Sequence, residues 1–150
     1  MATDLVTLAK TALIGEVEHL RDEVRKLAEP LTQEQFWKKP TEPGNSVGHL
    51  VLHLTGNLSY FVGAQLGNSG YVRDREREFT ATTVPAKEEA LRGLDGAVAV
   101  FRRVVEGLTP EQLAAPHPTE RLGLVLPALL HLVGHFALHR GQMSYIVRLV

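Results

Sequence analysis

Cysteine does not occur anywhere in this 150-residue chain. Its absence excludes disulfides, thiolate metal ligands and a nucleophilic thiol of the protein's own, and it suits the reducing cytoplasm, which is the expected location. A long basic run is missing too. Sixteen lysines and arginines stand against seventeen aspartates and glutamates, so neither a nucleic-acid partner nor an anionic membrane surface is expected. No apolar run approaches the roughly 20 residues of a membrane span. The longest candidate, Leu122 to Val133, is broken by Gly123, Pro127 and His131. The opening Met1-Ala2-Thr3-Asp4-Leu5-Val6 lacks the basic flank and apolar block of a signal peptide. Nor does any stretch alternate apolar and polar residues between tight turns, so strands are not expected.

What the chain does have is helical period, in four segments. From about Asp4 to Leu27 the apolar residues Leu5, Leu8, Ala12, Leu13, Val17, Leu20, Val24 and Leu27 step by three or four, with charges on the other face. A second helix is expected from about Ser46, a good N-cap, to Leu66. A third starts near Pro85 and carries the stripe Leu91, Leu94, Val98, Phe101, Val105 and Leu108. A fourth runs from about Pro127 to Leu149. The fold class expected is all-α, a four-helix bundle, with residues 1–150 forming one domain.

The halves share a plan. Leu31-Thr32-Gln33-Glu34-Gln35 follows helix one and Leu108-Thr109-Pro110-Glu111-Gln112 follows helix three. Each has the Thr-x-x-Gln spacing of a capping box and should start a short helical turn. Each then gives way to a proline-bearing loop and a histidine-bearing helix. Between the halves lies a link of about Gly67 to Val84, long enough to run back along the bundle and make helices two and three parallel. Its charge cluster, Arg73-Asp74-Arg75-Glu76-Arg77-Glu78-Phe79, reads either as a solvated loop with local ion pairs or as a lid or wall beside a site.

The histidines are the chemically informative residues. Helix four carries His131, His135 and His139 at four-residue intervals, which places them on one face about a turn apart. Helix two carries His49 and His53 in the same way. Two imidazoles at i and i+4 can grip one metal ion. His135 and His139 are the candidate pair, and His53, set among Leu50, Val51, Leu52 and Leu54, is the candidate third ligand. His49 and His131 fall one turn away and are read as supporting or rim groups, either of which would close the site as a fourth ligand. Asn57 and Gln142 extend the two stripes as candidate pocket residues. His19 and His117 are expected to face solvent. A carboxylate-bridged di-iron centre is not expected: Glu16-x-x-His19 is a single copy of a motif that is needed twice, and helices two and four contain no aspartate or glutamate.

These residues resemble a known family. Asn45-Ser46-Val47-Gly48-His49-Leu50-Val51-Leu52-His53-Leu54-Thr55-Gly56-Asn57 is similar to the helix-two signature of the DinB/YfiT-like metalloenzymes, and His135-Phe136-Ala137-Leu138-His139-Arg140-Gly141-Gln142 resembles their helix-four signature. Arg73-Asp74-Arg75 with Glu78-Phe79 looks like the linker of one subgroup. The resemblance implies a four-helix bundle with a long crossover between helices two and three. It implies metal ligation by His53, His135 and His139, and often a homodimer of bacterial type. It also implies transfer or isomerisation chemistry with low-molecular-weight thiols such as bacillithiol or mycothiol.

Three neutral imidazoles leave a divalent ion's charge uncompensated, which favours an anion in its open positions: hydroxide, a thiolate or a substrate carboxylate. Any thiol must come from outside the chain. Imidazole suits zinc, nickel, iron and copper alike, and manganese stays open as well. The reading is a metal-dependent enzyme acting on a small molecule by thiol transfer or hydrolysis. The alternative is a non-catalytic bundle that binds metal for stability or binds a small ligand under stress. A general base is not evident; Asp74, Glu76 and Glu78 qualify only if the link folds over the site.

Overall fold

Each of the four periodic segments forms a helix. The computed structural model describes residues 4–150. Helix α1 spans Leu5–Ala28, with Asp4 accepting from the Thr7 backbone N–H as N-cap. Short α2 (Gln33–Trp37) follows, then α3 (Val47–Leu58), capped by Ser46. The one-turn α4 (Arg77–Thr80) lies in the link, and α5 (Lys87–Gly107) comes next. Short α6 (Pro110–Ala114) precedes α7 (Val125–Ile146). Among the described residues there is no strand, only an isolated bridge between Pro116 and Leu124. Both Thr-x-x-Gln segments form complete capping boxes, Thr32 with Gln35 and Thr109 with Gln112. Pro127 sits within the first turn of α7, where a missing N–H costs nothing.

The helices pack as an all-α four-helix bundle of α1, α3, α5 and α7 with a long crossover between α3 and α5. Gly93 lies beside Thr55, Gly63 beside Val100 and Gly67 beside Val104. Numbers rise together along both helices, so α3 and α5 run parallel. Helix α1 opposes α5: Arg25 pairs with Asp95, Arg102 with Glu18, and Lys10 donates to the Glu106 carbonyl. The core is a continuous apolar column that includes Val17, Leu20 and Val24 of α1, Leu50 and Leu54 of α3, Leu94 and Phe101 of α5, and Leu129 and Phe136 of α7. Among the described residues, no helix is long and apolar enough to cross a membrane.

One feature departs from the sequence expectation, and a second bears on two readings that the sequence leaves open. The second helix is not one α-helix to Leu66: over Ser59–Ala64 it widens into a π-turn, closed by the Gln65 N–H on the Tyr60 carbonyl and the Gly67 N–H on that of Val62. Such turns redirect a helix face and recur at functional sites. The link is not a solvated loop throughout either, since α4 packs on α3 and buries Glu78.

The α2 turn is locked to α3 through Gly48. A methyl group there would overlap the Trp37 indole, which also meets His49 edge-on at 5.4 Å between centroids. Neighbouring Phe36 is fully buried, so the turn cannot simply swing away. Gly48→Ala is expected to destabilise the fold by about 1–3 kcal/mol despite its better helix propensity. Urea denaturation measures this, and an unchanged or raised midpoint would contradict it.

Candidate metal centre

His53 projects from the middle of α3, and His135 and His139 from successive turns of α7. The antiparallel approach of these helices brings the three rings to one point. His135 Nε2 lies 3.1 Å from His53 Nε2 and 3.0 Å from His139 Nε2. One nitrogen from each ring falls within 4.8 Å of the others. Metal–nitrogen bonds of about 2.0–2.1 Å at a tetrahedral angle put ligand nitrogens about 3.3 Å apart, so the spacing is that of a metal triad.

The far side of each ring decides whether these nitrogens attract one another or a cation. His53 Nδ1 is 2.9 Å from the Glu78 carboxylate and donates to it. His139 Nδ1 is 2.7 Å from Gln142 Oε1 and donates there. A neutral imidazole carries one proton, so both Nε2 atoms present lone pairs to the centre. His135 has at most one proton to offer two acceptors, and its buried Nδ1 has no partner. Three nitrogens within 4.8 Å of one another, two of the pairs about 3 Å apart, with at most one proton among them form a donor set for a divalent cation rather than a closed hydrogen-bond knot.

Glu78 comes from the crossover. Its Oε1 takes His53 Nδ1–H and Arg73 Nη2 (2.8 Å), and its Oε2 takes Arg73 Nε (2.9 Å). The pair is almost fully buried. Gly56, one turn beyond His53, makes room: a Cβ there would overlap the Glu78 carboxylate. Burial pulls the Glu78 carboxyl up, but the Arg73 and His53 hydrogen bonds outweigh it and hold it below the usual carboxylate range. A carboxylate behind a ligating histidine fixes ring orientation and raises basicity. Because Arg73 answers its charge, the group adds no net charge to the centre. Burial, reinforced by the neighbouring His139, His53, His131 and Arg73, lowers His135 to about 4. Burial likewise lowers His139, partly offset by Gln142. Both shifts favour unprotonated rings at His135 and His139, ready to bind metal.

The remaining sequence candidates divide. Gln142 orients His139, and Asn57 and His131 line a cavity beside the triad. His49 stands apart from the cluster. Its Nδ1 meets the Ser46 hydroxyl at 2.6 Å and its Nε2 the Ala81 carbonyl at 3.3 Å, so it ties the head of α3 to the crossover. Among the described residues, no fourth histidine or carboxylate joins the triad. The expectation that His117 faces solvent is corrected. It is buried, accepting the Thr119 N–H at Nδ1 and donating Nε2–H to the Phe61 carbonyl at 3.0 Å. His19 and Glu16 lie on the exposed face of α1. Arg140 points away from the triad, 3.2 Å from Glu23. As for the general base, Asp74 and Glu76 are exposed, and both Glu78 oxygens are engaged. Nothing in the sequence separates Glu78 from Asp74 and Glu76 or marks Arg73 as its partner.

Comparison with known proteins agrees with this architecture. A family model for the DinB superfamily matches residues 16–143. Among solved structures, a conserved protein from Enterococcus faecalis superposes with a TM-score of 0.77 at 16% identity, covering 99% of this chain and 98% of its own. YfiT from Bacillus subtilis, described as a probable metal-dependent hydrolase with an unusual four-helix bundle topology, gives 0.72 at 19% identity over 93% of this chain and 86% of its own. The DinB-like protein YjoA from Bacillus subtilis gives 0.66 at 20% identity over 91% and 90%. No curated protein matches.

The histidine shifts set a pH dependence. His135 titrates at about 4 in the folded chain against 6.5 unfolded, so between these values the unfolded chain binds more protons. Stability of the metal-free protein is therefore fully present above about pH 6.5 and falls as pH drops toward 4. Urea midpoints should decline from pH 7.5 to pH 5, and less steeply in His135→Asn. Equal slopes in the two proteins would contradict the assignment.

Proposed function

Because the chain belongs to the DinB superfamily and closes three imidazoles on one point, we propose that it is a metal-dependent enzyme acting on a small molecule, with His53, His135 and His139 as the metal ligands. The observation that carries this reading is the lone-pair arrangement at the triad: three converging Nε2 atoms, two of them held unprotonated by Glu78 and Gln142. Three protein ligands with an adjoining cavity are the pattern of a catalytic site, whereas a fourth ligand would mark a structural one. A divalent ion held there by His53, His135 and His139, with zinc, nickel, iron and manganese all compatible, would supply Lewis acidity and would lower the pKa of a water or a low-molecular-weight thiol toward neutral pH.

The chain's own residues supply the rest. Glu78, Arg73 and Gln142 hold the ligand rings, and none is free to move a proton. His131, exposed at the edge of the cavity, is the side chain placed to carry a proton to or from a substrate. Hydrolysis is the first reading, in keeping with the description of YfiT. Thiol transfer is the second, and with no cysteine in the chain its thiol is a diffusible cofactor. We place the reaction in the cytoplasm, in a chain that works as one domain and as a homodimer. Leu130, Leu138, Tyr145 and Leu149 on and beyond α7 expose large apolar side chains, as a self-association face does.

Elemental analysis after incubation with each metal tests the site. Wild-type protein should retain close to one ion per chain and His139→Ala should lose it, with the fold unchanged by circular dichroism. Equal retention in both would sink the assignment. Light scattering should give twice the chain mass; a monomer would contradict the dimer.

A further inference from the structure

Beside the triad lies a cavity of about 120 Å³ whose lining includes Asn57, Phe61, Arg73, Arg75, Arg121 and His131. No carboxylate lines it. Of its three guanidiniums, that of Arg73 is neutralised by Glu78. Arg75 and Arg121 make no ion pair among the described residues. Both are nevertheless held in place, Arg75 over the Phe79 ring and Arg121 over the Phe61 ring, each at 5.5 Å. On the wall, Asn57 is only 6% exposed, and its Oδ1 has no hydrogen-bond partner. A buried amide oxygen left unpaired is costly and calls for a donor.

These observations define a ligand: negative charge for the two free guanidiniums, an O–H or N–H for Asn57, and a size well below that of an ordinary drug-sized site. We propose that the cavity binds a small carboxylic acid bearing a hydroxyl or amide donor close to its carboxylate. The carboxylate meets Arg75 and Arg121, and the donor meets Asn57 Oδ1. This names the substrate class for the site and rests on reading the triad as the metal centre of an enzyme. Planar guanidiniums suit a carboxylate, which can accept two parallel hydrogen bonds.

The test is an NMR titration of the full chain, metal-free and zinc-loaded, with L-lactate, propionate, inorganic phosphate and ethanolamine as probes. Zinc stoichiometry is measured on the same samples. Lactate should shift the Arg75 and Arg121 Nε–H signals and the Asn57 side-chain amide, and should bind about tenfold tighter than propionate. Arg75→Gln with Arg121→Gln should weaken lactate by at least about tenfold with zinc retention unchanged. Asn57→Leu should abolish the preference for lactate over propionate. Unmoved arginine signals, equal binding of ethanolamine, or phosphate binding more tightly than lactate would overturn the proposal. Lactate binding in a chain that takes no zinc would sink the metal reading alone. Zinc binding without carboxylate binding would sink this one alone.

Discussion

Glu78 meets His53 Nδ1 at 2.9 Å with both side chains almost fully buried, and the geometry of the centre depends on that contact. A buried carboxylate without a partner is among the costlier defects a fold can carry. Here Arg73 satisfies it through two bonds and His53 through a third. Removing Glu78 leaves both Arg73 and His53 Nδ1–H buried and unanswered, and removing Arg73 leaves the buried carboxylate with His53 alone. The crossover is thereby fastened to α3 at the height of the metal site, with its charge turned inward.

This fastening depends on a smaller constraint. Glu78 can approach α3 only because residue 56 lacks a side chain. A glycine inside a helix ordinarily weakens it; here it opens the gap through which the crossover reaches the back of a ligand ring. His139 gets the same kind of support from within its own helix, three residues on at Gln142. Helix α7 thus orients one of its own ligands locally, whereas α3 needs a segment more than twenty residues away to orient His53. Beyond the rings, the positive lining of the cavity follows from the same economy of carboxylates. Glu78 is committed to Arg73 and His53, and Arg75 and Arg121 line the cavity with no ion pair among the described residues.

The fold was largely legible in the sequence because its signals are local. Stripes at three- and four-residue steps mark α1 and α5, Thr32 with Gln35 and Thr109 with Gln112 mark the short turns, and Ser46 marks the head of α3. The four-residue spacing of His135 and His139 is local too, and the Leu-rich setting of His53 singled it out. What stayed hidden depends on tertiary placement. Among Asp74, Glu76 and Glu78, nothing in the sequence tells which acid is buried; α4 decides it by docking on α3. His117, flanked by Pro116 and Pro118, looks like an exposed loop residue until its loop folds onto the π-turn and meets the Phe61 carbonyl. The π-turn itself has no sequence period distinct from the α-helix it interrupts. His49 carried the same spacing signal as the ligand pair, yet Ser46 and Ala81 draw its ring to the head of the helix. Helical spacing names a face but not the partner that a side chain will choose.

The central claim is that the chain itself, before any ion arrives, holds two imidazoles with their Nε2 lone pairs aimed at one point. Long-range ¹H–¹⁵N NMR of the histidine rings in metal-free protein at pH 7.5 reads this directly. His53 and His139 should both appear as the neutral tautomer protonated at Nδ1, and Glu78→Leu should release His53 from that state while leaving His139 in it. If His53 is protonated at Nε2 in the wild-type protein, the ring faces the centre with a proton instead of a lone pair, and the account of the site is wrong.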